Sequence, residues 1–293
     1  MPTHDPPAVQ TLQKPSWLRK RLPPMEPYHN VRALLRTARV HTVCQEARCP
    51  NHWECFSQKT ATFLILGDVC TRRCRFCAVR QGRPSAPDPQ EPARIAQTVQ
   101  ALGLRYVVIT SVTRDDLLDG GASIFAQTIR TVRDAVPGTL VEVLIPDFQG
   151  RLSALHTVLQ AGPAVLNHNI ETVPRLYGTV RPQADYRRSL AVLRAAFAAA
   201  PHIPVKSGIM LGLGETDDEI LQTLDDLLEA GCRLLTLGQY LQPTPHLHPV
   251  ARYVTPDAFD TWREKALSMG FRQVASGPWV RSSYHAHELH RRL

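Results

Sequence analysis

Six of the seven cysteines of this chain fall within residues 44–77, in two groups of three. The first triplet is Cys44-x4-Cys49-x5-Cys55, and the second triplet is Cys70-x3-Cys74-x2-Cys77. Three thiols are one short of the four ligands that close a tetrahedral metal site. The spacing therefore predicts two metal clusters, each with a fourth position that is open or filled from elsewhere.

The composition is that of a globular chain with a large core, because 43% of its 293 residues are hydrophobic and 20% are charged. The formal net charge of +8 predicts attraction to an acidic partner, such as nucleic acid, an anionic membrane or an acidic protein. The positive charges are spread along the chain without a basic block, so an acidic protein is favoured at least as much as RNA. A surface charge that serves only solubility is the alternative.

The location of the protein is predicted from three features of the sequence. No segment has the roughly 18 consecutive apolar residues that a membrane helix needs. Residues 1–7 carry Pro and Asp and lack the apolar run of a signal peptide. Clustered cysteines in an odd number indicate reduced thiols that bind metal. We therefore expect a soluble, cytoplasmic protein, with an organellar location left open.

Apolar, β-branched runs alternate with helical patterns along most of the chain. The runs typical of strands cover residues 62–66, 106–109, 140–145, 164–169, 204–211 and 234–239. The helical patterns cover residues 91–103, 121–136, 151–162, 186–200, 216–231 and 255–270, with a shorter one at 30–39. Six strands alternating with helices predict a parallel sheet. Residues 1–30 are predicted to form an extended arm, and the residues after 270 a tail.

Polar residues follow each predicted strand. The second triplet follows the first strand, and the later strands are followed by residues 110–116, 146–147, 167–171, 212–215 and 239–243. The carboxyl ends of parallel strands share one rim in a barrel-like sheet, and such folds place their chemistry there. Loops are polar in any protein, which is the alternative for any single segment.

The second triplet lies on one short loop that can reach three corners of a [4Fe–4S] cluster and leave one iron without a protein ligand. Arg72, Arg73 and Arg75 on this loop are expected to favour thiolate over thiol. A zinc site is the alternative, although zinc prefers four protein ligands and no histidine is near. The first triplet encloses His52, so a Cys3His zinc site remains possible there. Cys232 has no partner spacing and is predicted to be buried and inert.

The cysteine loop after the first strand of an alternating α/β chain resembles the radical S-adenosylmethionine (SAM) superfamily. The upstream triplet and Arg281-Ser-Ser-Tyr284 make the chain closely similar to the lipoyl synthase family. Other matching stretches, over about residues 14–287, are Lys14-Pro-Ser-Trp-Leu-Arg, Val112-Thr-Arg-Asp-Asp-Leu, Asp119-Gly-Gly-Ala, Asn167-His-Asn-Ile-Glu-Thr-Val, Lys206-Ser-Gly-Ile-Met-Leu-Gly-Leu-Gly-Glu and Gln239-Tyr-Leu-Gln-Pro. The two triplets together with the serine pair are highly specific.

The resemblance implies a partial (β/α)6 barrel with N- and C-terminal extensions in one compact unit. Residues 1–57 would form the extension with the auxiliary-cluster cysteines, residues 58–245 the radical SAM barrel, and residues 246–293 the C-terminal helix and tail with the Arg-Ser-Ser-Tyr motif. The second triplet would hold the cluster that binds and cleaves SAM to a 5′-deoxyadenosyl radical. The residues expected to contact SAM are Asn169, Glu171 and Arg181, with Thr110, Ser111 and Gln239 as weaker candidates.

The resemblance also implies the reaction. Two sulfur atoms would enter C6 and C8 of an octanoyl chain on a carrier-protein lysine, where unactivated C–H bonds are beyond acid–base catalysis. The first triplet would hold a second [4Fe–4S] cluster as the sulfur donor, with Ser283 as its labile fourth ligand. The implied partners are octanoylated lipoyl domains and H protein, a ferredoxin- or flavodoxin-type electron donor and an iron–sulfur carrier, without nucleic acid or membrane. Without the resemblance, Ser282 and Ser283 would be taken as turn hydroxyls.

Three further features have simple interpretations. Arg114 and Asp115 could form a structural ion pair rather than contact a ligand. Gly212 and Gly214 lack the third glycine of a dinucleotide fingerprint and are interpreted as allowing close approach to the nucleoside. The histidines at 285, 287 and 290 are interpreted as part of a solvated tail.

Two other functions remain open from the sequence. One is another dual-cluster radical SAM enzyme, such as a tRNA methylthiotransferase, for which a C-terminal RNA-binding domain would be expected. The other is a non-catalytic iron–sulfur or zinc-binding module.

Overall fold

Helices and strands alternate along the chain as the hydrophobic pattern predicts. The computed structural model describes residues 12–58 and 60–291. The predicted absence of a signal peptide and the first part of the predicted arm fall on residues 1–11, outside the described residues. No helix in the described ranges is long and apolar enough to cross a membrane.

The described residues form ten strands and eleven α-helices. The strands are β1 His41–Thr42, β2 Thr62–Ile65, β3 Val69–Cys70, β4 Arg80–Gln81, β5 Tyr106–Ser111, β6 Leu140–Leu144, β7 Val165–Asn167, β8 Val205–Leu211, β9 Leu234–Gln239 and β10 Gln273–Gly277. The helices are α1 Met25–Ala38, α2 Val43–Glu46, α3 His52–Ser57, α4 Glu91–Leu102, α5 Ala122–Ala135, α6 Leu152–Gln160, α7 Tyr177–Val180, α8 Tyr186–Ala199, α9 Asp217–Glu229, α10 Pro256–Met269 and α11 Ala286–Arg291. Short 3-10 turns lie at Ser16–Leu18, Phe148–Gly150 and Pro174–Leu176.

One open, mostly parallel sheet organises the molecule. Its strand order is β1-β2-β5-β6-β7-β8-β9-β10, and β3 and β4 form a separate two-stranded sheet. The strands from β2 to β10 in this sheet pair in parallel, and only β1 pairs antiparallel, with β2. The two edge strands do not pair with each other, so the barrel is not closed. The predicted α/β fold with a partial barrel is confirmed.

Helix ends follow the local sequence signals. Thr216 caps α9, with its side chain accepting from the backbone of Glu219 and the Glu219 side chain accepting from the backbone of Thr216. Gly103 ends α4 at φ 65°, in the left-handed region that glycine adopts without strain. These signals explain why the helix bounds agree with the predicted ones to within a few residues.

The two ends of the chain differ from the prediction. In the predicted arm, α1 begins at Met25, directly after Pro24, because proline is tolerated before the first turn of a helix. The predicted tail contains β10, which adds a seventh parallel strand beside β9, and α11. Residues 273–277 are half-buried and of mixed polarity, so their sequence carries little strand signal. The division into three segments stays a prediction.

Candidate active site

Both cysteine triplets open into the same cavity. This cavity has a volume of about 400 Å³ and lies at the carboxyl ends of the parallel strands. All six clustered cysteines line it, and so do Ser282 and Ser283 from the C-terminal segment. A ligand in this one cavity can therefore reach both triplets.

The first triplet is built from two short helices and the loop between them. Cys44 lies on α2, Cys49 on the loop and Cys55 on α3, and the backbone N–H of Cys49 donates to the carbonyl of Cys44 at 3.1 Å. Burial, and then the neighbouring sulfur of Cys49, raises the pKa of Cys44 and raises the pKa of Cys55 to about 12. A cation bound between the thiols would counter both causes and keep the sulfurs ionised.

The second triplet follows β2, with Cys70 at the end of β3 and Cys74 and Cys77 on the loop after it. The backbone N–H groups of Arg72 and Thr113 point at the Sγ of Cys70, at 3.4 and 3.3 Å. Burial raises the pKa of Cys77 to about 12 and also raises the pKa of Cys74. N–H groups that donate to a ligand sulfur hold it in position for a metal.

The expected effect of the loop arginines is found for Arg72: burial raises the pKa of Cys74, and the charges of Arg181 and then Arg72 lower it. Arg72 is buried and also forms ion pairs with Asp115 at 2.7 Å and with Asp147 at 2.6 Å. Burial alone would raise the pKa of Asp147, but the Arg72 hydrogen bonds outweigh it and hold the pKa at about 2. Arg73 and Arg75 are exposed. The nearby charge that most lowers the pKa of Cys74, against burial, is that of Arg181.

Zinc fits the cysteine geometry poorly. Tetrahedral zinc with Zn–S bonds of about 2.3 Å places its sulfur ligands roughly 3.8 Å apart. In the described residues, neither triplet brings its three Sγ atoms within 4.8 Å of one another. The Nδ1 of His52 donates to the carbonyl of Cys49 at 2.7 Å, and the ring packs against Trp53 rather than facing the cavity. Soft thiolates spaced more widely fit an iron–sulfur cluster better.

A polar wall lines the cavity beside the second triplet. Asn169 and Arg181 are buried, and the Oδ1 of Asn169 and the Nε of Arg181 find no hydrogen-bond partner among the described residues. Glu171 adopts φ 67°, rare for a residue with a side chain, and burial raises its pKa. The hydroxyl of Ser111 also has no partner in the described part of the chain, whereas Thr110 donates to the Leu144 carbonyl at 2.8 Å. Buried polar groups without protein partners are suited to hold a polar ligand.

Gln239 does not belong to the free polar wall. Its Nε2 donates to the carbonyls of Leu211, Tyr240 and Arg252 at 3.0–3.1 Å, and its Oε1 accepts from Val254 at 2.8 Å. The side chain is fully buried and holds the loop after β9 in place. Its amide hydrogens are therefore donated to protein carbonyls and are not free for the expected SAM contact.

Three other interpretations need correction. Arg114 pairs with Asp116 at 2.8 Å rather than with Asp115, which pairs with Arg72. A Cβ at Gly212 would meet the Gln239 side chain and the Arg252 carbonyl, so this glycine allows close packing of protein rather than approach of a nucleoside. Residues 286–291 form α11, whose Ala286 and Leu289 are buried, so this described segment is not a solvated tail.

The C-terminal motif distinguishes its two serines. The hydroxyl of Ser282 accepts from the Nδ2 of Asn169 at 2.5 Å, and the Ser282 carbonyl accepts from Lys206 at 2.6 Å. The hydroxyl of Ser283 makes no hydrogen bond to any described residue, although the residue lines the cavity. On the other side of the motif, Tyr284 donates to Glu54 of α3 at 2.6 Å. The motif is thus held from both the sheet and the first triplet.

The sequence did not predict a role for His168 or for the ion pair of Lys206 with Glu142. His168 is 2% exposed and donates from Nδ1 to the Ile145 carbonyl at 2.9 Å, and its Nε2 is an acceptor with no partner within residues 12–58 and 60–291. Burial, and then the charge of Arg181, lowers the pKa of His168 to about 4. Lys206 and Glu142 form a buried ion pair at 2.8 Å. The signal for Lys206 was a charged residue inside an apolar strand, which is rare without a partner.

Comparisons with known proteins agree with this geometry. The chain matches the model of the radical SAM superfamily at residues 64–227 and that of the N-terminal domain of lipoyl synthase at residues 6–49. It is 56% identical to a lipoyl synthase of Nitrosomonas eutropha over 94% of this chain and 88% of that protein. It is also 56% identical to a lipoyl synthase of Rubrobacter xylanophilus over 94% of this chain and 86% of that protein.

Two solved structures share the fold at low sequence identity. SuiB of Streptococcus suis bound to S-adenosylmethionine superposes with a TM-score of 0.59, at 10% identity over 77% of this chain and 54% of that one. HydG, a maturase of the [FeFe]-hydrogenase, superposes with a TM-score of 0.51, at 17% identity over 78% of this chain and 58% of that one. The predicted enzyme class is confirmed, with SAM and [4Fe–4S] clusters as its cofactors. The chain belongs to the lipoyl synthase family of the radical SAM superfamily.

Proposed function

We propose that this protein inserts two sulfur atoms, at C6 and C8, into an octanoyl chain carried on a lysine of a lipoyl carrier protein. The observation that carries the proposal is that both cysteine triplets and Ser283 line one cavity. Radical generation and sulfur donation at the same acyl chain require two centres that the chain can visit without leaving the site.

Cys70, Cys74 and Cys77 would hold the cluster that binds SAM. Three thiolate ligands leave one iron free for the amino and carboxylate groups of SAM. When bound, this pair supplies a radical able to abstract hydrogen from an unactivated carbon. Asn169 and Arg181 would orient the SAM molecule through polar atoms that have no partner among the described residues, together with the Glu171 carboxylate, and Thr110 and Ser111 would border it.

Cys44, Cys49, Cys55 and Ser283 would hold the auxiliary cluster that supplies sulfur. Soft thiolates suit the iron, and a single hard serine oxygen makes a weaker fourth ligand. The unpartnered hydroxyl of Ser283 supports this role, because the hydroxyl of Ser282 is already bonded to Asn169. A labile ligand would help the protein open the cluster when sulfur is transferred.

The acyl chain would lie along the apolar part of the cavity. Apolar side chains from four strands line this part: Leu64, Val108, Leu144, Ile209 and Met210. Burial of an octanoyl chain against such surface is favourable by about 0.8 kcal/mol per methylene group. The apolar wall also excludes water, which protects a carbon radical from side reactions.

The finer partners also belong to the proposal. The substrates would be octanoylated lipoyl domains and H protein, attracted by the net charge of +8. A ferredoxin- or flavodoxin-type protein would supply electrons, an iron–sulfur carrier would rebuild the auxiliary cluster, and the reaction would take place in the cytoplasm.

The proposal is tested by metal analysis and turnover together. Reconstituted protein is expected to hold about eight irons per chain and no zinc. With SAM, a strong reductant and an octanoyl-lysine peptide, mass spectrometry should show a lipoyl product and two methionines per lipoyl group formed. One or two zincs per chain would overturn the proposal in favour of a non-catalytic module. Thiolation of tRNA without lipoyl product would favour a methylthiotransferase instead.

A further inference from the structure

A buried cation lies inside the sheet with a buried carboxylate as its partner. Lys206 on β8 is fully buried, and its Nζ lies 2.8 Å from Oε1 of Glu142 on β6. Tyr106 on β5 donates to the other carboxylate oxygen at 2.6 Å, and Asn167 approaches Oε1 at 3.4 Å. Three neighbouring strands thus fix the position of the ammonium group.

The same ammonium group reaches out of the sheet to the C-terminal motif. The Nζ of Lys206 donates to the carbonyl of Ser282 at 2.6 Å, across 76 positions of sequence. Asn169 holds the hydroxyl of the same serine at 2.5 Å. Gly238 on β9 leaves room for the Val280 carbonyl, which a Cβ there would meet. Ser282, which directly precedes Ser283, is therefore held both at its backbone carbonyl and at its side-chain hydroxyl.

Stability alone does not explain a buried ion pair here. Replacing such a pair by apolar residues of similar volume is often neutral or stabilising, because burying charges is costly. An apolar replacement could fill the interior of the sheet, but it could not donate a hydrogen bond to Ser282. The donor to Ser282 is what the ion pair adds to the packing.

We propose that Lys206 is a positioning residue for the auxiliary cluster, which it serves by anchoring the Ser282 carbonyl so that the Ser283 hydroxyl faces the first triplet. This inference rests on the proposed function, in which Ser283 is a cluster ligand. It assigns Lys206 no contact with SAM or the acyl chain.

The test removes the anchor without leaving a buried charge. Lys206→Met alone would leave the buried carboxylate of Glu142 without its cation, so the variant used is Tyr106→Phe/Glu142→Leu/Lys206→Met, which removes the ion pair and the Tyr106 hydroxyl together. Its melting temperature is expected to stay within about 5 °C of the wild type. In metal-free protein, amide exchange in residues 279–286 should be at least ~10-fold faster, with exchange in α9 unchanged.

The reconstituted triple variant gives the second readout. We expect an altered electron paramagnetic resonance signal from the auxiliary cluster and at least ~10-fold less lipoyl product, whereas SAM cleavage stays within ~3-fold. Lys265→Met, on the exposed face of α10, is the surface control: it removes a lysine that does not belong to the buried network and should behave as wild type. A triple variant with wild-type exchange in residues 279–286, or with a wild-type auxiliary signal, would overturn the proposal.

The two proposals fail in different ways. If Ser283→Ala keeps an unaltered auxiliary cluster, the ligand assignment in the proposed function is wrong. If Ser283→Ala alters the cluster but the triple variant does not, only the role of Lys206 is wrong.

Discussion

Asn169 donates a hydrogen bond of 2.5 Å to the hydroxyl of Ser282 and a second, of 3.1 Å, to the carboxylate of Glu171. One amide group therefore joins the proposed SAM wall to the motif that carries the proposed cluster ligand. It also occupies the first serine hydroxyl of that motif, whereas the hydroxyl of Ser283 makes no hydrogen bond to a described residue.

Ser283→Ala should disturb the auxiliary cluster more than Ser282→Ala does. Ser283 would lose a metal ligand, whereas Ser282 would lose one hydrogen bond and keep its carbonyl bond to Lys206. We expect at least ~10-fold less doubly thiolated product for Ser283→Ala and a smaller loss for Ser282→Ala, with Mössbauer spectra changed chiefly in the former. The reverse order of the two effects would contradict the assignment.

Cys49→Ala should abolish sulfur transfer while preserving SAM cleavage. Cys49 lies on the loop of the first triplet, and the second triplet is built from separate elements. Iron content should fall from about eight to about four per chain, and 5′-deoxyadenosine should still form. Chromatography of the products after a single turnover measures both quantities. Lipoyl product with both sulfurs present would show that the donor assignment is wrong.

His168 should make the protein less stable in mild acid. Its folded-state pKa of about 4 lies below its ordinary 6.5, so the unfolded chain binds the extra proton between these values. The free energy of unfolding is therefore unaffected by this group above pH 6.5. It falls as the pH drops from 6.5 towards 4, by roughly 3 kcal/mol in total. Urea titrations of wild type and His168→Asn at pH 7 and pH 5 measure it, because asparagine keeps the donor to Ile145 but does not titrate. Equal pH dependence of the two proteins would contradict the burial of a neutral imidazole.

Gly238→Ala should displace the C-terminal motif by steric contact alone. A Cβ at Gly238 would meet the Val280 carbonyl, whereas a Cβ at Gly178 would meet nothing within 4 Å. We expect Gly238→Ala to cost about 1–3 kcal/mol of stability and to lower lipoyl formation, and Gly178→Ala to do neither. Thermal unfolding and product assays decide the matter. If Gly238→Ala left both stability and lipoyl formation unchanged, the Arg-Ser-Ser-Tyr motif would not depend on this close contact.

Local patterns predicted most of the fold. Strand β8 is a run of mainly apolar residues, and α9 begins with a capping box, so both elements carry their own signals. Strand β10 carries no such signal, because its order comes from pairing with β9. Its five half-buried residues are too mixed in polarity for periodicity to reveal.

The site was predicted by residue type but not by partner. The cysteine spacing indicated two clusters. The sequence could not show, however, that the side-chain amide of Gln239 donates its hydrogen bonds to the carbonyls of Leu211 and Arg252. Likewise, Ser282 and Ser283 are equivalent in sequence, and they differ only because Asn169 lies 113 positions away along the chain and close in space. Tertiary contacts of this kind decide which polar groups remain free for a ligand.

The measurement that tests the account most directly follows sulfur from the protein into the product. Protein reconstituted with ³⁴S-sulfide is given SAM, reductant and an octanoyl-lysine peptide without any other sulfide. The mass of the product is then measured by mass spectrometry after one turnover. We predict that both sulfurs of the lipoyl group carry the label, because the cluster on the first triplet donates them. Unlabelled lipoyl product would contradict the central claim that this cluster is consumed in the shared cavity.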